Sequence, residues 1–317
     1  MAPNKPKVSV LVLCYNQEDT IGQTLESLIG QKTDFNIEIL IGDDSSSDQT
    51  RAICLSYAEA YPSIVSLHPV TPNVGLLENY KRLVLLAKGN YVSCCAGDDY
   101  WIDPFKLQKQ ADFLDTHPDY GMVHSNYTIL FDETGKTEVV EKKVPEGTVL
   151  GQLLSGNFVA ALTAMYRTIY VQEAINEGIL SSDFPMEDYP VWLYISERSK
   201  IGFLSENTAV WRKMEESVSN TKNLSRQLRF HWATIEVKIL FAKRNGYDAI
   251  IPQLIDSLRS SLFYAAINKQ SDVALQISRR IQDIDHLSVK DHLILAASKY
   301  RLLRQVLKIW MSRGSRN

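Results

Sequence analysis

The sequence predicts an α/β protein: a mostly parallel central sheet with helices on both faces, followed by an all-helical C-terminal region. Two patterns predict it. Apolar runs rich in β-branched residues alternate with helix-period segments through the first hundred residues, as in successive βαβ units. After about Thr221 glycine and proline become scarce, and helical periods run to the end. The boundary is placed near residue 220, giving one domain over 1–220 and a helical one over 221–317.

The elements follow in order. VSVLVLCY (8–15) is an unbroken aliphatic run, as expected of a parallel strand covered on both faces. Ile21, Leu25, Leu28 and Ile29 then share one helix face. IEILIG (37–42) reads as the second strand, and Asp48 as the cap of a helix with Ile53 and Tyr57 on its inner side. IVSLH (64–68) is the third strand. Leu76, Leu77, Tyr80, Leu83, Val84 and Ala87 stripe the next helix, and NYVSCC (90–95) is the fourth strand. From 118 to 166 the chain is more irregular, with GMVHSNYTILF and FVAALTAMY expected as strands. Farther on, helices are expected around 228–243, 250–267 and 273–281, and from Val289.

Composition narrows the function. A net charge of −3, with 22% charged residues, argues against bulk nucleic-acid binding. The four cysteines lack metal-ligand spacing, and Cys14, Cys94 and Cys95 lie in or beside apolar runs, which predicts free thiols in a reducing, cytoplasmic setting. No apolar run approaches the roughly 18–20 residues that span a bilayer. The six histidines form no zinc motif, and there is no GxSxG, GxxxxGK[ST] or suitable GxGxxG.

Two acidic clusters stand out. Asp98–Asp99 follows the fourth strand, where open α/β sheets place ligands. Hard carboxylates there suit Mg²⁺ or Mn²⁺ and a diphosphate; alternatively, two acids simply open a turn before Pro104. Glu187–Asp188 opens an amphipathic helical stretch with Trp192, Tyr194 and Ile195. It suits proton abstraction from an acceptor hydroxyl, or else only complements the helix dipole. The loop GDDSSSDQT (42–50) offers Asp44 to a nucleobase N–H, or is a polar βα connection. Trp101 and Trp211 are candidate platforms for sugar rings, or core residues.

Taken together, six segments in series resemble the inverting glycosyltransferases of family 2: VSVLVLCYNQEDTIGQTLESLIGQ, ILIGDDSSSDQT, NVGLLENYKRLVLLAKGNYVSCCAGDDYW, DPFKLQKQ, MEDYPVW and VWRKMEESVS. The resemblance covers roughly residues 7–220. It implies a GT-A-type, Rossmann-like nucleotide-binding fold, a nucleotide-sugar donor, with UDP-sugars foremost, and a divalent metal, Mn²⁺ or Mg²⁺. It places the nucleoside near Leu13, Tyr15, Asn16 and Asp44, with Lys81 as a further contact. The family's Asp-x-Asp falls on Ala96-Gly97-Asp98. Asp98 thus stands for the metal-ligating acid, with Asp99 beside it, and Ala96 replaces the first acid. The family's Glu-Asp pair falls on Glu187 and Asp188, making Asp188 the implied base. A late Arg-x-His corresponds to Arg212-Lys213-Met214, so a histidine ligand is replaced by methionine, leaving Arg212 or Lys213 to touch the diphosphate.

The implied reaction is a single displacement on the anomeric carbon, transferring sugar to a hydroxyl of a glycan or lipid-linked acceptor in cell-surface polysaccharide or glycolipid synthesis. Two other readings stay open. A sugar nucleotidyltransferase should carry a glycine- and lysine-rich N-terminal signature that this chain lacks. A non-catalytic nucleotide or glycan binder is favoured by Ala96 and Met214. Finally, residues 299–317 hold Lys299, Arg301, Arg304, Lys308, Arg313 and Arg316, no acid, and Trp310 among apolar residues. Such a segment either contacts the inner face of the plasma membrane peripherally or packs on protein.

Overall fold

The computed structural model describes residues 5–141, 144–180, 184–214 and 221–314, with side chains through Leu307. The chain divides into two compact units, residues 1–215 and 216–317.

The first unit is a nine-stranded sheet with the order β3-β2-β1-β4-β8-β6-β9-β5, and β7 paired to β6. Strands β1 (Val8–Cys14), β2 (Ile37–Asp43), β3 (Val65–Leu67) and β4 (Tyr91–Ala96) form its parallel half. All seven residues of β1 are buried, as a strand covered on both faces requires. The long strands β6 (Tyr120–Phe131) and β9 (Lys200–Lys213) are also parallel to each other. The short strands β5 (Tyr100–Trp101), β7 (Lys136–Val140) and β8 (Met165–Arg167) are antiparallel to their neighbours.

Helices cover both faces. On one, α1 (Ile21–Ile29), α2 (Thr50–Ala60) and α4 (Lys106–Thr116) bury Leu25, Leu28, Cys54, Leu107 and Leu114 against Val10, Val12, Ile39 and Cys95. On the other lie α3 (Leu76–Leu86), α6 (Thr168–Asn176) and α7 (Asp188–Arg198), with the short α5 (Leu150–Ser155) packed on α7.

Several sequence expectations need correction. FVAALTAMY is not one strand: residues 161–163 form a 3₁₀ turn, and β8 begins at Met165. The turn breaks the run because its carbonyls are taken by side chains rather than a ladder. Asp48 stands one residue before the helix cap, Gln49, and accepts instead from the Thr50 N–H at 3.0 Å. The stretch after Glu187 is helical but not amphipathic: Tyr189 through Ser196 are all buried, because α5, α6, β6 and β9 enclose it. Cys14, Cys54 and Cys95 are buried free thiols, whereas Cys94 is only partly buried.

The second unit contains α8 (Leu224–Arg244), α9 (Ile251–Ile267), α10 (Ser271–Ile284), α11 (Val289–Lys299) and α12 (Arg301–Gly314). Leu258, Leu262, Ile277, Ile281 and Ile294 build its core. The segment from Val289 is two helices, broken at Tyr300 by its extended backbone. Arg259 joins α9 to the start of α11 through Asp285 at 2.9 Å and Asp291 at 3.2 Å. No helix among the described residues is long and apolar enough to cross a membrane.

Candidate active site

The strand order reverses at β1, which pairs with β2 on one side and β4 on the other. Open α/β sheets bind ligands in the crevice beyond the strand ends at such a point. Leu13 ends in this region of β1, Tyr15 and Asn16 follow it, Asp44 follows β2, and Asp98 and Asp99 follow β4. Tyr15 is 50% exposed while Leu13 is buried. Asn16 has φ 51°, a left-handed conformation that asparagine tolerates, and its Oδ1 accepts the Ser47 N–H at 2.8 Å. Glu18 N–H donates to Asp48 Oδ2 at 3.1 Å, so the loops after β1 and β2 hold each other in place.

Asp44 is buried, and its two oxygens accept from the Val74 N–H at 2.7 Å and the Gly75 N–H at 2.8 Å. It anchors the loop entering α3, a role that its sequence position did not announce. Lys81 pairs with Glu78 on its own helix at 2.8 Å.

The turn carrying the first acidic cluster is gripped from two sides, α1 and β9. Thr20 Oγ1 donates to Gly97 O at 2.8 Å and Thr24 Oγ1 to Asp99 O at 2.7 Å. From β9, the Arg212 N–H donates to Asp99 Oδ1 at 2.9 Å, and Arg212 Nε donates to Asp98 O at 3.1 Å. Gly97 is required by close approach: a Cβ there would lie 2.9 Å from Cys14 Cβ and 3.0 Å from Ile21 Cδ1, and would strike Gln17 Oε1. Burial raises the pKa of Asp98; burial and then the neighbouring Asp98 charge raise that of Asp99. Arg212 also bonds Asp132 at 2.9 Å and Gln23 at 2.6 Å, so its guanidinium braces the turn. That engagement was not visible in the sequence.

Glu187 and Asp188 stand at the N-terminus of α7, where the Tyr189 N–H donates to Asp188 Oδ1 at 2.7 Å. Burial raises both pKa values, and for Glu187 the Asp188 charge adds to it. Their field reaches Tyr80 and Cys94. These two belong to a network that sequence reasoning missed: Tyr166 Oη lies 2.7 Å from Tyr80 Oη and 3.3 Å from Cys94 Sγ. Cys94 is four residues before Asp98, at most about 13 Å of extended chain. The two acidic pairs thus act on adjacent residues of β4, Glu187 and Asp188 on Cys94, and Asp98 and Asp99 on Cys95.

The tryptophan expectation fails for Trp101. It is 4% exposed, its Nε1 donates to Leu162 O at 3.0 Å, and Lys106 lies over its ring, so it is a core residue with no free face for a sugar. Trp211 is partly buried and packs against the main core. Arg212 is braced as described; Lys213 lies over the Phe131 ring at 5.3 Å. Of residues 299–317, side chains from Lys308 onward, Trp310 included, lie outside the described residues.

Among the described residues, no three histidine, cysteine or acidic side chains gather as a metal-ligand group. The donor chemistry at Asp98–Asp99 nonetheless suits Mg²⁺ or Mn²⁺, which takes one or two carboxylates and completes its shell with phosphate and water.

Comparison with known proteins identifies the family and the fold. The family model of Glycosyl transferase family 2 matches residues 9–170. An uncharacterized protein of Mycobacterium tuberculosis is 30% identical over 232 residues, covering 72% of this chain and 64% of that one. The chain thus spans less than two thirds of that relative. The Escherichia coli WfaP, a UDP-Glc:α-D-GlcNAc-diphosphoundecaprenol β-1,3-glucosyltransferase, is 31% identical over 206 residues, covering 63% of this chain and 73% of WfaP. Among solved structures, Staphylococcus aureus TarS 1–349 in complex with UDP-GlcNAc superposes with a TM-score of 0.56 at 18% identity, over 96% of this chain and 92% of TarS 1–349. The fold is thus of the GT-A type, and the chain belongs to glycosyl transferase family 2.

Proposed function

We propose that this protein transfers a sugar from a nucleotide-sugar, most simply a UDP-sugar, to an acceptor hydroxyl with inversion at the anomeric carbon. The observation that supports the reading is the pair of acidic clusters, one on the turn after β4 beside the point where strand order reverses and one at the start of α7, whose charges act on neighbouring residues of β4. Asp188 is the base. Its proton affinity is raised by burial, which suits a carboxylate that must take a hydroxyl proton near neutral pH. Asp98, with Asp99 beside it, would hold Mn²⁺ or Mg²⁺, which when bound neutralises charge on a departing diphosphate. Tyr15, open to solvent at the end of β1, and Asn16 border the nucleoside position, and residues 1–220 form the catalytic domain.

The test is release of nucleoside diphosphate from a panel of UDP-, dTDP- and GDP-sugars with Mn²⁺. Release by the wild type and not by Asp188→Asn, at equal UDP affinity, is the expected result. No release from any donor would reject the reading and favour a non-catalytic binder.

A lipid-linked acceptor is the natural extension, since WfaP is named for a diphosphoundecaprenol substrate. One observation favours a membrane contact in the same scheme: Tyr300, Leu302 and Val306 are 63%, 77% and 62% exposed, next to the exposed cations Lys299 and Arg301. Apolar and basic surface together suit an anionic bilayer. Pelleting with anionic vesicles, lost when residues 299–317 are removed, is the expected outcome; identical pelleting rejects the contact.

A further inference from the structure

Lys106 opens α4 with its side chain fully buried, a costly place for an ammonium, and burial pushes its pKa down to about 7. Nothing in the proposed chemistry uses it. Its Nζ donates to Gln110 Oε1 at 2.8 Å and to Ser93 Oγ at 3.2 Å, and lies 4.1 Å from the centre of the Trp101 ring. Each of these three partners spends its own donor on a carbonyl of one turn. Trp101 Nε1 bonds Leu162 O at 3.0 Å, Gln110 Nε2 bonds Thr163 O at 2.7 Å, and Ser93 Oγ bonds Ala164 O at 2.7 Å. Three consecutive carbonyls are thus held by three side chains from β4, β5 and α4, with one cation touching all three.

The held turn is linked to both acidic clusters by contacts of its neighbours. Trp101 is two residues from Asp99. Tyr166 is two residues past Ala164; its hydroxyl bonds Tyr80 and Cys94, both within the field of Glu187 and Asp188. Its ring also packs edge-on against Trp192 of α7, 5.2 Å between centres. We propose that Lys106 is a positioning residue: by clamping residues 162–164 it sets the distance between the acid-bearing turn after β4 and the acid-bearing end of α7. Simple packing does not call for an amine here, since an apolar side chain of equal length fills the same volume without the cost of burying a polar group.

The inference rests on the glycosyl-transfer reading, and two measurements separate their failures. The first compares full-length Lys106→Met with wild type for release of nucleoside diphosphate from whichever donor of the panel the wild type accepts. A fall in kcat of at least thirtyfold is expected, with UDP affinity in Mn²⁺ within threefold of wild type. Trp101→Phe keeps the ring but removes the bond to Leu162 O; a smaller fall is expected, not multiplying with that of Lys106→Met. The second measurement is amide hydrogen exchange. Faster exchange at residues 163–167 and 187–189 is expected in Lys106→Met, and it is read whether or not any donor turns over. Unchanged kcat in both variants overturns the proposal. So does unchanged exchange, or a parallel loss of kcat, UDP affinity and folded fraction. Should Lys106→Met fail to fold, Trp101→Phe decides by the same readouts.

Discussion

The two acidic clusters carry the same chemistry in opposite surroundings. Asp99 accepts a backbone N–H from Arg212, whose guanidinium also grips the Asp98 carbonyl, so a cation braces that turn. At Glu187 and Asp188 the shifts come from burial, from the Asp188 charge acting on Glu187 and from backbone N–H groups, and the two acids in turn raise the pKa values of Tyr80 and Cys94. Burial raises the pKa of both pairs, but at Asp98 and Asp99 the Arg212 charge opposes part of that rise, and a turn pinned in place suits the binding of a metal, which itself favours the charged form. A carboxylate whose burial is unrelieved by a cation is suited to taking a proton. The division of labour thus follows from environment, since the residue types are nearly the same.

The sharpest way to break this contrast is Asp188→Asn. It is expected to lower kcat by about 10²–10⁴, the usual contribution of a general base, with UDP affinity unchanged. Equal activity would remove the base and with it the contrast. Asp98→Asn should weaken Mn²⁺-dependent UDP binding by about tenfold or more, roughly 1.4 kcal/mol, while leaving metal-free binding alone; calorimetry with and without Mn²⁺ reads it. Arg212→Met should cost about 1–3 kcal/mol in denaturant unfolding, because it unties Asp98, Asp132 and Gln23 together.

The smallest effect sharpens the comparison by its sign. The folded pKa of Glu187 is raised above that of the unfolded chain, so the folded state holds more protons between the two values. Stability from this group is present at acid pH and lost as pH rises through the folded pKa. Glu187→Gln should therefore raise stability near neutral pH, by an amount on the order of 1 kcal/mol, and leave it unchanged at pH 4. Thermal melts at both pH values measure it. The raised pKa of Asp188, the proposed base, predicts that kcat falls on acidification at a pH above the ordinary carboxylate range.

How much of this was legible beforehand differs along the chain. VSVLVLC, IEILIG and YVSCC declare themselves as buried parallel strands because each is a continuous apolar run, and the helix stripes between them have one clear period. Strand β9 went unread as a strand, since KIGFLSENTAVWRK mixes exposed and buried positions across three register shifts. FVAALTAMY misled because its apolar composition suits a strand, while side chains more than fifty residues away claim its carbonyls. Trp101 looked available for a sugar; only packing against Lys106 and Leu162 placed it in the core.

Local pattern alone determined the alternation of strand and helix, the positions of both acidic pairs at element ends, and the helical character of residues beyond 220. These depend on periodicity and on which residues tolerate strand ends and helix starts, properties of neighbours in the chain. Only the tertiary structure decided which acid is braced by Arg212, why Gly97 admits no side chain, and what a buried lysine on α4 holds. Those outcomes depend on contacts between residues tens of positions apart, where hydrogen-bond geometry and desolvation act on a side chain whatever its own sequence context.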